Sequence, residues 1–266
     1  MTGGNLLSLE RLRISFGGIT AVDRVSFGLE RGTIFSIIGP NGAGKTTIFN
    51  CISGLYRPDS GRILFREEDI TGLKPHVIAR KGIARTFQNI ELFSRMTTME
   101  NLMLGRHIHM RTGVWSGATF FRKRSRAARE EVEHRERVER IIDLLDLQSA
   151  RDQFVLSLPY GTQKLIELGR ALAMEPELLL LDEPSAGMNS EEKQDLVFWI
   201  KDIQDELGVT ILLIEHDMKL VMDISDRILV MNFGKYLTEG LPEEVQNHPE
   251  VLKAYLGEDD IIEGAA

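Results

Sequence analysis

Cysteine is almost missing from these 266 residues: Cys51 stands alone. No disulfide framework can form within the chain, which fits a reducing compartment. Long apolar runs are missing too. The longest, such as Thr33 to Ile38 and Leu178 to Leu181, fall well short of the roughly 20 residues a membrane helix needs. With 27% charged residues a membrane-embedded chain is excluded, so any service to a membrane runs through partners. Met1 to Leu9 has neither a basic n-region nor an apolar h-region, and no signal peptide is expected. Excess positive charge is also absent. The formal net charge of -8 gives no case for nucleic-acid binding. No internal repeat or low-complexity linker occurs. What remains is 42% hydrophobic residues, enough for a proper core, in a length that suits one large domain or a core with a subdomain.

The pattern along the chain predicts an α/β fold. Leu6 to Leu9, a Gly17-Gly18 turn and the alternation of Ala21 to Leu29 read as strands. Thr33 to Ile38 suits a buried parallel strand, and a helix over Thr46 to Gly54 follows. Gly61 to Phe65 reads as a further strand. Residues 89 to 170 read mainly as helices, the clearest being Arg126 to Leu147, with Val132, Val138, Ile141, Ile142 and Leu145 at helical spacings. Strand, helix and strand then alternate through Leu178 to Leu181, Glu191 to Glu206 and Thr210 to Ile214, with Ile228 to Met231 a third strand. This order describes an α/β sheet with a helical insertion in its middle.

Gly39-Pro40-Asn41-Gly42-Ala43-Gly44-Lys45-Thr46-Thr47 fits the P-loop pattern, between a strand and a helix. Polyphosphate oxygens need several donors at once, and a loop wrapped around them points its backbone N–H groups inward. Glycines allow the dihedrals and the close approach. The following helix directs its positive end at the phosphates. Lys45 is placed to reach the β and γ phosphates and the Thr46 hydroxyl to hold Mg²⁺. The loop alone leaves kinase, GTPase, motor and transporter ATPase open. Leu178 to Leu181 ends in Asp182-Glu183-Pro184. Carboxylates at the C-terminal end of such a strand face the ligand crevice of an open α/β sheet. Asp182 suits Mg²⁺ and Glu183 suits a general base for the attacking water.

With further motifs in order, the chain resembles the ABC ATPase family over roughly residues 6 to 257. Gln88 in Thr86-Phe87-Gln88-Asn89 matches the family's Q-loop, and Tyr160-Gly161-Thr162-Gln163 stands where its signature belongs. Ser185-Ala186-Gly187-Met188-Asn189 looks like the D-loop, and His216 in Ile214-Glu215-His216-Asp217 matches the switch histidine. The resemblance implies a P-loop NTPase core with an antiparallel β subdomain, about 6–87 and 172–240. It implies an inserted α-helical subdomain, about 89–171, and a C-terminal helix and acidic tail over 241–266. ATP and Mg²⁺ are the implied cofactors. Phe16 would stack on adenine with Val22 beside it, and Gln88 would contact Mg²⁺ and the attacking water. His216 would hold the γ phosphate and orient Glu183. Tyr160 to Gln163 would contact ATP bound to the opposite subunit of a homo- or heterodimer.

The signature departs from the usual L-S-G-G-Q: Tyr160 replaces serine and Thr162 the second glycine. The Tyr-Gly-x-Gln form resembles the branched-chain amino acid importer subfamily. So do Ile48 to Cys51, Glu215 to Met222, and Ala254 to Glu258. The resemblance implies an ATP-hydrolysing subunit on the cytoplasmic face of the inner membrane. It would energise uptake of branched-chain or other hydrophobic amino acids through two permease subunits, and indirectly a periplasmic binding protein. Related urea or amide importers, lipid or polysaccharide exporters, and a soluble ABC ATPase acting on nucleic acid or ribosomes are the alternatives. Cys51 reads as a small buried hydrophobe. His107, His109 and His134 read as solvated, Trp115 as packing, and the basic run 122–129 as a solvated surface or a contact for anionic lipid headgroups or an acidic partner loop. The acidic residues 258–260 read as a solvated terminus.

Overall fold

The computed structural model describes residues 4–110 and 126–255. Trp115, residues 122–125 of the basic run and residues 258–260 lie outside the described residues. The first part of the chain runs β1 (Leu7–Phe16), β2 (Ile19–Leu29), β3 (Ile34–Ile38), α1 (Lys45–Ile52), β4 (Ser60–Phe65), β5 (Glu68–Asp69), α2 (Pro75–Arg80) and β6 (Ile83–Arg85). The helical part follows with α3 (Thr98–Gly105), α4 (Arg126–Leu144) and α5 (Tyr160–Leu172). The chain then alternates through β7 (Leu178–Asp182), α6 (Ser190–Leu207), β8 (Thr210–Ile214), α7 (Met218–Ile224), β9 (Arg227–Asn232), β10 (Lys235–Gly240) and α8 (Pro242–Gln246).

Two sheets result. The smaller is antiparallel, in the order β2-β1-β4-β5, and the larger runs β10-β9-β3-β8-β7-β6. All neighbours in the larger sheet are parallel except β10 on β9. Its strands β3, β7 and β8 are buried throughout and mostly apolar because both faces are covered. Leu178 and Leu180 of β7 pack with the antiparallel sheet and α1, as do Leu212 and Ile214 of β8. Leu179, Leu181, Ile211 and Leu213 point the other way, into a core shared with α3, α4, α5 and α6. This is the α/β architecture with an antiparallel β layer and an inserted helical layer that the sequence predicts.

The stripe on α4 differs from the sequence expectation. Val132 is 55% exposed, whereas His134 is 5% exposed. The buried set is His134, Val138, Ile141, Ile142 and Leu145, a run spaced by three and four residues. Val132 lies two residues before it, on the outer side. His134 is therefore not solvated; its Nδ1 accepts from the Nε of Arg106, itself 2% exposed, at 3.2 Å. His109 is half-buried against the Met174 carbonyl, 2.8 Å away, and His107 is exposed. The helix closes at Leu144 rather than Leu147, and Asp146 takes a left-handed φ of 52°. Strands β5, β6 and β10 and helices α2 and α7 have no counterpart in the sequence reading. They are short or polar, with too little periodicity to register.

α3 opens on a reciprocal cap. The Thr97 hydroxyl accepts from the Glu100 amide at 3.3 Å, while the Glu100 carboxylate accepts from the Thr97 amide at 2.8 Å. Thr97→Ala removes one half of this box and is expected to lower stability by about 1 kcal/mol, read as a lower urea midpoint at unchanged m-value.

Candidate functional site

Parallel pairing brings four chain segments together. The loop after β3 is the glycine-rich one, residues 215–217 follow β8, Asp182 and Glu183 close β7, and Phe87 and Gln88 follow β6. β3, β8, β7 and β6 are consecutive neighbours, so these segments leave the sheet at one end, where open α/β sheets bind ligands.

The glycines of the first loop are there for geometry. Gly39 has φ 145° and Gly44 φ 95°. A Cβ would lie 2.1 Å from the Met231 carbonyl at Gly39 and 2.4 Å from the Ala21 carbonyl at Gly44. Pro40, Asn41, Gly42 and Ala43 complete the turn, closed by the Ala43 amide on the Pro40 carbonyl at 3.1 Å. Gly44 is the N-cap of α1 and offers no capping side chain. No capping side chain therefore competes with an anion at this end of the helix. The Lys45 ammonium folds back over the loop and donates to the carbonyls of Gly39 at 2.6 Å and Pro40 at 2.9 Å. Thr46 is exposed at the mouth.

Glu183 takes a left-handed φ of 49°, a conformation uncommon outside glycine and concentrated at functional sites. Both its carboxylate oxygens are held. Oε2 accepts from the Gln88 carboxamide at 2.7 Å, and Oε1 lies 2.6 Å from Nε2 of His216. Asp182 is 2% exposed and accepts at 2.7 Å from Arg85. Burial raises its carboxyl above the usual range even though Arg85 pulls the other way. Arg85 also donates to Asn50 at 2.7 Å and Ser53 at 3.0 Å near the C-terminal end of α1, and lies over the Phe49 and Phe87 rings. Glu215, 3% exposed, accepts from the Ser185 amide at 2.8 Å and the His216 amide at 3.0 Å, tying the two acidic turns together.

Phe16 is 45% exposed and meets the Tyr56 ring edge-on at 5.1 Å. Val22 is fully buried, its position set against Gly44. Tyr160 to Gln163 form the first turn of α5, with Tyr160 half exposed and Gln163 donating to the Leu158 carbonyl at 2.9 Å. Residues 185–189 pack beside that turn. A Cβ at Gly187, φ 80°, would lie 2.9 Å from the Tyr160 ring, and Asn189 caps α6 through the amides of Glu191 and Glu192. The sequence reading missed Arg85, Tyr56 and Glu215. A lone arginine among apolar neighbours, Ile83-Ala84-Arg85, was the one local hint of the first.

Known proteins resemble this chain over most of its length. The ABC transporter family model matches residues 22–186, and the branched-chain amino acid ATP-binding cassette transporter model matches residues 237–261. The high-affinity branched-chain amino acid transport ATP-binding protein LivG of Salmonella typhimurium is similar, with 45% identity over 95% of this chain and 98% of that protein. So is BraF of Pseudomonas aeruginosa, with 44% identity over 95% of this chain and 98% of that protein. A crystal structure of an ABC transporter's ATP-binding cassette in its ADP conformation superposes with a TM-score of 0.82 at 32% identity, covering 95% of this chain and 99% of that one.

Two outcomes follow from the site's packing. Arg85→Met strands the buried Asp182 carboxylate and is expected to cost about 3 kcal/mol of stability, measured by urea denaturation. Cys51 is fully buried, and desolvation pushes its thiol up to about 12. Iodoacetamide at pH 8 is therefore expected to leave Cys51 unmodified in the folded protein and to alkylate it in denaturant, as read by mass spectrometry.

Proposed function

This chain belongs to the ABC transporter family, as an ATP-binding protein of its branched-chain amino acid transport subfamily, and from that premise we propose which residues hydrolyse ATP and what the hydrolysis drives. As an ABC transporter ATPase it couples ATP hydrolysis to transport. The observation that carries the reading is the Glu183 carboxylate, clasped by Gln88 and His216 at the strand ends beside the glycine-rich loop.

Residues 39–47 bind the triphosphate through backbone amides, with Lys45 on the β and γ phosphates. The exposed Phe16 ring, braced by Tyr56, stacks on adenine, and Val22 shapes the floor beneath Gly44. Glu183 accepts a proton from the attacking water while Gln88 and His216 fix its orientation. His216 also reaches the γ phosphate. The signature turn, Tyr160 to Gln163, meets the triphosphate of the second ATPase subunit, and residues 185–189 form the adjoining face.

The Thr46 hydroxyl, the Asp182 carboxylate and the Gln88 amide are oxygen donors of the kind Mg²⁺ takes. Among the described residues no group of three or more His, Cys, Asp or Glu side chains could hold a metal alone. That fits an ion completed by phosphate oxygens. When bound, Mg²⁺ neutralises charge on those phosphates.

Substrate uptake requires membrane partners, because among the described residues no helix is long and apolar enough to cross a membrane. A groove of about 380 Å³ lined by Leu55, Ile78, Phe87, Leu104 and Met174 opens beside the Gln88 segment. It suits an apolar segment of a permease on the cytoplasmic face of the membrane. By subfamily, the cargo is a branched-chain or similar hydrophobic amino acid, delivered by a periplasmic binding protein.

Glu183→Gln is expected to keep ATP binding, to abolish hydrolysis and to trap an ATP-bound dimer, seen as a dimer peak on gel filtration with ATP and Mg²⁺. Wild-type turnover in that variant would remove Glu183 as the base.

A further inference from the structure

Lys164 and Glu167 are 6% and 2% exposed, yet neither has a part in the hydrolysis chemistry above. Burying such charges costs several kcal/mol each unless they are well partnered. Their partners explain the cost. Residues 87–91 belong to no helix or strand, so their amides and carbonyls need partners from elsewhere. The Lys164 ammonium donates to the Gln88 carbonyl at 2.7 Å. The Glu167 carboxylate accepts from the Glu91 amide at 3.4 Å and from the Phe87 amide. Arg170 donates to the Glu91 carbonyl at 2.5 Å. These three residues recur every third position and line one side of α5. The first turn of that helix is the signature, and Lys164 also lies over the Tyr160 ring, 6.0 Å from its centroid.

We propose that Lys164, Glu167 and Arg170 are positioning residues, a strap that ties the backbone of residues 87–91 to the signature helix. Through it, contact of the α5 tip with the triphosphate of the second subunit sets the place of the Gln88 carboxamide on Glu183. The strap also reaches Phe87, which lines the apolar groove. One helix thus joins three events: nucleotide contact at its tip, orientation of the base through Gln88, and the position of the surface offered to a membrane partner. The inference rests on the assignment of Glu183 and Gln88 in the proposed function.

The test uses the full chain with its second subunit, and the variants Lys164→Met and Glu167→Met beside the conservative Lys164→Arg and Glu167→Gln. Amide exchange of the peptide covering 87–91 is expected to rise about tenfold in the Met variants, with exchange in β7 unchanged. kcat is expected to fall about tenfold while ATP affinity moves less than about twofold. The conservative variants recover most of both. In a Gln88→Ala background the Met substitutions are expected to add no further loss of kcat, the non-additivity of residues acting as one unit. Unchanged exchange overturns the strap. Faster exchange with normal kcat, additive losses with Gln88→Ala, or conservative variants as impaired as the Met ones overturn the positioning role. Wild-type hydrolysis in Glu183→Gln removes the proposed base, and the positioning role with it, whatever the exchange data show.

Discussion

Because β3, β8, β7 and β6 run parallel as neighbours, segments separated by up to 177 residues of chain, from Gly39 to His216, leave the sheet on the same side. The meeting of Gln88, Glu183 and His216 depends on that. The strands can be parallel only because both faces are buried, one by the antiparallel sheet with α1 and the other by the helical layer. The two outer layers thus stabilise the platform and also bring their own contributions to its edge: Phe16 from the β layer and the α5 tip from the helical layer.

At that edge the protein tolerates local arrangements that would be costly elsewhere. Glu183 holds a left-handed backbone conformation, and Asp182 and Arg85 form an ion pair almost out of water. Lys164 and Glu167 are charged and enclosed. Burial lowers the affinity of the Lys164 amine for its proton and raises that of the Glu167 carboxyl. Each cost is offset by fixing one particular atom: a carboxylate at a strand end, or the backbone of a loop with no ladder of its own. Such preorganisation is what positions groups for chemistry.

The cluster of Arg106, His134, Arg137 and Glu175 serves another purpose. Arg106 donates to the Ala173 carbonyl at 2.8 Å and pairs with Glu175 at 3.1 Å. This ties α3 and α4 to the end of α5. A histidine in the core stripe of α4 is the consequence, and simple hydrophobic periodicity has no means of registering it.

By itself the sequence determined whatever a short stretch of chain encodes. The glycines at 39, 42 and 44 permit the dihedrals and close approach that a phosphate-cradling turn needs, and the largely apolar runs at 34–38, 178–181 and 210–214 favour buried parallel strands. The order of short motifs then identified the family and the candidate site residues. The tertiary structure alone decided which distant groups meet. Arg85 finds Asp182 across 97 residues, Lys164 finds the Gln88 carbonyl across 76, and Phe16 leans on Tyr56. It likewise decided that His134, and not Val132, faces the core. The physical reason is that glycine geometry and hydrophobic period act within a few residues. An ion pair or a strap between elements exists only once the sheet and helices have fixed their mutual distance.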